Sequence, residues 1–343
     1  MKRHLNTLFV TTQGAYLARD GEAVVVRVER ETRLRVPLHN LGGIVCFGQV
    51  SCSPYLMGLC GERGVAISFH TERGRFLARV HGFTPGNVLL RREQYRRADS
   101  VEGSAAIARS MILGKIANAR TVLLRAARDH PDRTDGAALQ RATVHLDRCL
   151  GDALTPGDLD TLRGVEGEAA RVYFGAFDHL ITAQKADFTF HERSRRPPLD
   201  NVNALLSFLY AMLAHDLRAA CESAGLDPAV GFLHRDRPGR PGLALDLMEE
   251  FRPFFADRLA LSLINRKQVQ ASGFGKTSSG GIQMDDDTRK TVLVAYQKRK
   301  QEEIRHPFLG DQTTVGLLPH LQARLLARHL RGDLDAYPPF IWK

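Results

Sequence analysis

The sequence predicts an α+β protein, with a β-rich N-terminal domain followed by an all-α C-terminal domain. Three observations carry this. About the first ninety residues break into short β-branched runs between turn residues. After Ser100 the chain becomes rich in Ala, Leu, Arg and Glu with apolar spacing near 3.6, and strand signals fade. Between the two lies a charged connector, "LRREQYRRADSVEG". The boundaries drawn from this are 1–95 for the β-rich domain, 96–104 for a linker and 105–343 for the helical domain.

Each element has a local reason. "TLFVTTQGAYLARDGEAVVVRVERETRLRVPL" alternates apolar and polar runs, with Gly14 and Asp20-Gly21 as turns. "LGGIVCFG" and "GVAISFH" read as buried strands. Between them "SPYLMGLCGERG" reads as a short helix, capped by Ser53, opened by Pro54 and closed by Gly64. Helices are expected over 103–129, 138–150, 158–184, 201–224, 242–264, 287–305 and 312–331. Asp200 is placed to cap the fourth of these. Two loops stand out. "HERSRRPPLDN" (191–201) is basic, and "ASGFGKTSSGGIQMDDD" (271–287) reads as a flexible surface loop. The "GKT" in the second is not a phosphate-binding loop, because the pattern needs Gly six residues before the lysine and Gln270 stands there.

Composition narrows the function classes. A chain of 343 residues with 43% apolar residues can bury a sizeable core. A net charge of +10 fits an anionic partner such as nucleic acid, or a basic soluble enzyme without one. Five cysteines with no CxxC pair argue against a zinc ribbon and for a reducing compartment, so a cytoplasmic location is expected. No membrane association is expected. The apolar run Ala204–Ala214 is about half a bilayer span, and Leu5–Val10 is too short for a signal sequence.

The chemistry concentrates in "GFLHRDRPGRPGLALDLMEEFRP" (231–253). Asp246, Glu249 and Glu250 fall at i, i+3 and i+4 on one helix, where like charges repel. Either they face solvent near the helix start, where the dipole welcomes negative charge, or a bound cation offsets the repulsion. His234 lies twelve residues before Asp246, and the turn-rich segment between them can fold it back over the helix. Arg235, Arg237 and Arg240 in that segment are good phosphate ligands. Upstream, Glu166 shares an otherwise apolar helix face with Leu162, Ala169, Ala170, Tyr173 and Phe177. A buried carboxylate there needs a cation or a core-facing arginine. Gly164 and Gly167 beside it leave room for a close backbone or ligand, while Glu168 is expected to pair with Arg171 at the surface. An imidazole with two carboxylates is a hard, mixed ligand set that suits Mn²⁺ or Mg²⁺ better than zinc and points to phosphodiester chemistry.

Four segments in order resemble one family: "GVEGEAARVYF", "RSRRPPLDNVNALLSFLYAML", "GFLHRDRPGRPGLALDLMEEFRP" and "ADRLALSLINRKQ". They are similar to the CRISPR adaptation integrases, the metal-dependent DNA endonucleases called Cas-one. The closing "YPPFIWK" looks like the subtype I-C branch. The resemblance covers nearly the whole chain and implies an N-terminal β domain used for homodimerisation and a helical catalytic domain. It also implies a function, the insertion of short foreign DNA fragments into a CRISPR array by attack of a 3′-hydroxyl on a phosphodiester. Matched by motif, the metal ligands and catalytic residues fall on Glu166, His234 and Glu249, with Asp246 a possible further acid. The implied cofactor is Mn²⁺ or Mg²⁺. Implied partners are double-stranded and branched DNA and the small Cas-two subunit. Arg193, Arg195, Arg196, Arg235, Arg237, Arg240 and Arg252 become candidates for DNA-backbone contacts. Gly242 stands where the family often has Ser, so a capping hydroxyl is absent, and activity is not expected to depend on it. The competing readings are a basic DNA- or RNA-binding module without chemistry, which would bind without metal, and a hydrolase of small phosphorylated substrates, which has no use for the arginine loops.

Overall fold

The computed structural model describes residues 6–72, 76–80, 82, 88–132, 134–155, 157–278 and 280–342. The chain divides into two compact units, Met1–Pro85 with Leu293–Glu302, and Gly86–Val292 with Glu303–Lys343.

In the first unit the strands are β1 (Asn6–Val10), β2 (Tyr16–Asp20), β3 (Ala23–Val28), β4 (Glu31–Pro37), β5 (Leu41–Phe47), β6 (Ser51–Cys52), β7 (Ala66–His70) and β8 (Phe76–Val80). They form two four-stranded sheets, ordered β1-β5-β7-β8 and β4-β3-β2-β6. The first sheet pairs β1, β5 and β7 in parallel and β8 antiparallel. The second is a β2–β3–β4 antiparallel meander with β6 added in parallel. Gly21, at φ 59°, makes the expected Asp20-Gly21 turn, a backbone region that glycine enters without steric cost. Helix α1 (Pro54–Arg63) starts and stops where the sequence indicates. Ser53 accepts from Leu56 N at 3.2 Å, and Gly64 closes the helix at φ 67°. Leu17, Val24, Ile44, Cys46, Leu56, Cys60 and Ile67 share one core, which explains the alternation in these strands.

The second unit is built from α2 (Val88–Asp99), α3 (Val101–Asp129), α4 (Gly136–Leu154), α5 (Leu159–Gly175), α6 (Asn201–Ser223), α7 (Gly242–Phe251), α8 (Arg258–Asn265), the start of α9 (Asp286–Gln301) and α10 (Leu318–Leu330). The 29-residue α3 is central and packs on α4, α5 and α7. Asp200 caps α6 as expected, accepting from Asn203 N at 2.7 Å. By length and composition α6 could cross a membrane, but Leu205, Leu206, Leu209 and Leu213 are buried in the unit.

Four expectations are corrected. The C-terminal part is not all-α, because it carries the hairpins β9 (Phe274–Lys276)–β10 (Ile282–Met284) and β11 (Glu303–Arg305)–β12 (Gln312–Thr314). Strands of three residues are too short to leave a periodic signal, and β9–β10 sits inside the segment read as a flexible loop. The expected linker 96–104 is the end of α2 and the start of α3, both in the second unit. There Gln94 is fully buried on the otherwise polar α2 and donates to the carbonyls of Asp227 and Val230 at 2.8 and 2.7 Å. The last part of α9 groups with the first unit, where Gln297 and Lys300 reach Asn6 and Thr7. Finally, the helix expected over 242–264 is interrupted by a π-helical turn, Arg252–Asp257, containing Pro253. A proline has no N–H for the ladder and clashes with the carbonyl four residues earlier, so the turn widens.

A carboxylate and imidazole site on the helical unit

The three acids of α7 are 0, 2 and 0% exposed for Asp246, Glu249 and Glu250, so none faces solvent. They also do not share one partner. Successive helical residues are about 100° apart, and in a helix enclosed on all sides that angle sends each carboxylate to a different neighbour.

Asp246 organises the histidine loop. Its Oδ2 accepts from the backbone N–H of Phe232 at 2.5 Å and of Leu233 at 2.9 Å. Its Oδ1 accepts from His234 N at 3.0 Å and faces His234 Nδ1 at 2.6 Å. A carboxylate carries no proton, so Nδ1 is the donor and the lone pair is left on Nε2. With these contacts made, Asp246 is committed to the loop. Arg163 on α5 clamps the same loop by donating twice to the Leu233 carbonyl, at 2.9 and 2.7 Å. Close backbone packing completes the arrangement. A Cβ on Gly231 would sit 2.5 Å from Asp246 Oδ2, and one on Gly242 would sit 2.6 Å from the Ala229 carbonyl. Gly242 therefore matters to this loop for its missing side chain, which corrects the view that only a capping hydroxyl is at stake there.

Glu249 points to the site. His234 Nε2 lies 3.9 Å from its Oε1, and Arg252 holds that oxygen at 2.8 Å. Its Oε2 faces the ammonium of Lys115, on α3, at 2.7 Å. Burial pulls the Glu249 carboxyl upward, but the charges of Arg252 and Lys115 outweigh it and hold it well below the ordinary carboxylate range. Glu166, one turn after Arg163 on α5, is ion-paired with the same ammonium. The partner the sequence left open for Glu166, a cation or an arginine, is thus a lysine. Gly164 and Gly167 have open space where a Cβ would be, so no backbone packs there. Glu168 pairs with Arg171 at 2.6 Å as expected.

Glu250 points away, toward residues 337–340. Its Oε1 accepts from Tyr337 Oη at 2.7 Å, and its Oε2 from Phe340 N at 2.7 Å and Gln322 Nε2 at 3.0 Å. Asn118 on α3 donates to the carbonyls of Glu250 and Phe340 and accepts from Trp342 N. Burial pushes the Glu250 carboxyl up to about 8, against the pull of these donors.

The seven arginines separate into two groups. Arg195, Arg196, Arg235 and Arg237 are exposed, with Arg235 resting on Asp160 at 3.0 Å. Arg240 is half-buried, and burial with the neighbouring Arg237 lowers its pKa. Arg193 and Arg252 are largely internal. Arg193 donates to Asn203 Oδ1 at 2.6 Å and Ser207 Oγ at 3.0 Å, and both guanidinium groups stack on Tyr210, at 5.2 and 5.0 Å. Tyr210 and Tyr173 donate to Asp257, whose carboxyl burial raises to about 6. A cavity next to Glu166 is lined by Lys115, Tyr173, Arg195, Tyr210 and Asp257.

Sequence reasoning missed Lys115, Arg163 and Asp257. Lys115 had one usable signal, an isolated lysine in the apolar run "SMILGKIANA". Among the described residues no three His, Cys, Asp or Glu side chains converge tightly enough to define a metal cage by themselves. The point between the two glutamates is held by the Lys115 ammonium. That positive centre is itself a test of fit, since the pocket between Glu166 and Glu249 accommodates a cation.

Fold and site together define a class, a basic α+β protein in which one unit brings an imidazole on a loop to a helix carboxylate and a second helix carboxylate to a shared lysine, with exposed arginines on neighbouring loops. The family described as CRISPR associated protein Cas1 matches residues 8–298. CRISPR-associated endonuclease Cas1 1 of Chlorobaculum tepidum is 57% identical over 343 residues, covering all of both chains. CRISPR-associated endonuclease Cas1 2 of Rhodospirillum rubrum is 55% identical over 349 residues, again covering all of both chains. Among solved structures, a casposase bound to integration product has a TM-score of 0.83 at 20% identity, covering 99% of this chain and 95% of that one. A CAS1 protein from Thermotoga maritima has a TM-score of 0.80 at 22% identity, covering 98% and 99%. At these identities the two structures establish the fold. The chain belongs to the CRISPR associated protein Cas1 family.

Proposed function

We propose that this protein is a metal-dependent DNA endonuclease and integrase, which inserts short foreign DNA fragments into a CRISPR array by 3′-hydroxyl attack on a phosphodiester. Family membership supports the reading, and one observation in the fold favours it: Glu166 and Glu249, from two separate helices, converge on the Lys115 ammonium, and His234 Nε2 lies 3.9 Å from the other oxygen of Glu249. Glu166, Glu249 and His234 Nε2 are the groups that would hold Mn²⁺ or Mg²⁺. Such an ion, when bound, polarises a phosphodiester and stabilises charge on the attacking or leaving oxygen.

The chain's own residues supply the positioning. Asp246 fixes the His234 ring so that the Nε2 lone pair faces Glu249. Arg252 keeps Glu249 ionised and in place. Arg195, Arg196 and Arg237 are exposed and suited to phosphate contacts, whereas Arg193 and Arg252 serve the interior of the site. No covalent protein intermediate is required.

The partners in this reading are double-stranded and branched DNA and a small Cas2 subunit. A solved Cas6-RT-Cas1–Cas2 complex has a TM-score of 0.80 at 23% identity and covers this whole chain and 37% of that one. Homodimerisation through the N-terminal β unit, a cytoplasmic location and the subtype I-C branch are parts of the same proposal.

The test is cleavage and strand transfer on a branched duplex with Mn²⁺. Glu166→Ala, His234→Ala and Glu249→Ala are each expected to abolish both while the protein stays folded, and EDTA is expected to do the same to the wild type. Undiminished activity in any one variant removes that residue from the ligand set. DNA binding with no metal-dependent activity in the wild type would favour the non-catalytic binding module.

A further inference from the structure

We propose that Lys115 is a tethered cation that holds the place between Glu166 and Glu249 in the metal-free protein and is displaced when a divalent ion enters. The inference rests on the metal-ligand reading of the two glutamates and adds to it the residue that competes with the metal.

The geometry is direct. Lys115 is 9% exposed, midway along α3, between the fully buried Ile112 and Ile116. A buried ammonium is costly unless paired. Its partners are the two carboxylates proposed as ligands, one from α5 and one from α7. Without Lys115, Glu166 and Glu249 would face each other across the pocket, and like carboxylates so close repel. The ammonium therefore keeps the two oxygens converged in the resting protein, as a bound cation would.

The same geometry makes the two cations exclusive. A divalent ion that bridged Glu166 and Glu249 would stand within contact distance of the Lys115 nitrogen, with Arg252 already on the other Glu249 oxygen. A doubly charged ion and an ammonium cannot share that space at low dielectric. Lysine is the residue suited to yielding, since its charge is a point on a four-carbon flexible stem, without the rigid fork of arginine. The cavity lined by Glu166, Tyr173, Arg195, Tyr210 and Asp257 adjoins it and gives the side chain somewhere to go. Displaced there, among Arg193, Arg195 and Arg252, the ammonium has the Asp257 carboxyl as its partner.

The first experiment titrates Mn²⁺ alone into the full-length protein by calorimetry. Lys115→Met is expected to bind Mn²⁺ about tenfold more tightly than wild type, or better, because the cation that competes with the ion for the two carboxylates is removed. Equal or weaker binding overturns the proposal, and a purely structural lysine gives that result. Glu249→Gln is the reference. If wild type binds Mn²⁺, Glu249→Gln does not, and Lys115→Met gains nothing, the ligand reading stands and only this inference falls. If neither wild type nor Lys115→Met binds Mn²⁺, both fall. Should Lys115→Met fail to fold, the wild type decides by itself. Reductive dimethylation of Lys115, followed by peptide mass spectrometry, is expected to speed up about fivefold or more at saturating Mn²⁺ as its carboxylate partners are taken. A rate unchanged or slowed by Mn²⁺ overturns the displacement.

Discussion

Asp246→Asn is the substitution that separates holding the histidine from holding a metal. It changes no volume, and its cost can be worked from the four contacts of the carboxylate. An amide has one oxygen and one NH₂. Placed with the NH₂ at the Oδ2 position, it would confront the N–H groups of Phe232 and Leu233, which are 2 and 5% exposed, and orphan two buried donors. Placed with the NH₂ at the Oδ1 position, it orphans only His234 N–H, provided that the imidazole becomes the acceptor at Nδ1. The second arrangement costs about 1–3 kcal/mol for one unsatisfied N–H. It also moves the ring proton to Nε2, so the lone pair no longer faces Glu249. Loss of such an orienting partner weakens metal binding by about 10–100-fold, and the loop penalty adds roughly another tenfold. Activity on a branched duplex with Mn²⁺ is therefore expected to fall by about 10²–10³-fold while the melting curve shifts only modestly. Asp246→Ala orphans all three backbone donors and is expected to cost about 3 kcal/mol or more. The ring tautomer can be read from two-bond ¹⁵N–¹H couplings of His234. A folded Asp246→Asn protein within threefold of wild-type activity, or one whose tautomer is unchanged, would refute the argument.

Three further outcomes follow from the same contacts. Burial raises Glu250 from 4.5 to about 8, so the folded state binds a proton that the unfolded state has released, and stability falls as pH rises from about 4.5 to 8. Glu250→Gln is neutral, and its NH₂ can face a rotated Tyr337 hydroxyl, so its unfolding free energy should be flatter between pH 6 and 8.5 and higher than the wild type's at the alkaline end, by on the order of 2–4 kcal/mol; parallel stability profiles in denaturant would count against this. Gly242→Ser is expected to lower stability by about 1–3 kcal/mol and to cut cleavage, because even its Cβ meets the Ala229 carbonyl at 2.6 Å; a neutral result in thermal melts and cleavage assays would mean the loop yields. Charge reversal at exposed Arg195 and Arg196 should weaken DNA binding for every sequence and reduce the salt slope by about one per lost phosphate contact, whereas Arg193→Ala should chiefly destabilise loop 191–201; a salt-independent affinity in filter binding would remove the electrostatic basis of the DNA reading.

What could be read from the chain, and what could not, divides along sequence distance. The Ser53 and Asp200 caps, the Asp20-Gly21 turn and the long helices rest on neighbours within one or two turns, and periodicity and cap chemistry report such contacts directly. Glu166, His234 and Glu249 were nameable because each sits in a short recognisable run. Lys115 was not, because it meets Glu166 across 51 residues and Glu249 across more than twice that, and no local pattern marks the pairing. The three acids of α7 were misread for a different reason. Their spacing was read correctly, but about 100° separates Glu249 from Glu250, and only the packing around the helix decides whether one face becomes one site or three.

The contacts of Glu250 and Asn118 also bear on when the site can exist during synthesis. Asn118 waits for Phe340 and Trp342, 222 and 224 residues later, and Glu250 waits 90 residues for the Phe340 N–H. Non-local closures of this kind come late, because the intervening chain must be ordered first, and a chain leaves the ribosome from its N-terminus. Glu249 would already have emerged, but the helix turn that carries it stays unsealed until residues 337–342 arrive. Until then the Glu250 carboxyl has Gln322 as a donor but lacks the Tyr337 hydroxyl and the Phe340 N–H. Tyr337, Phe340 and Trp342 thus close the helix turn behind Glu249 after the rest of its surroundings have been made.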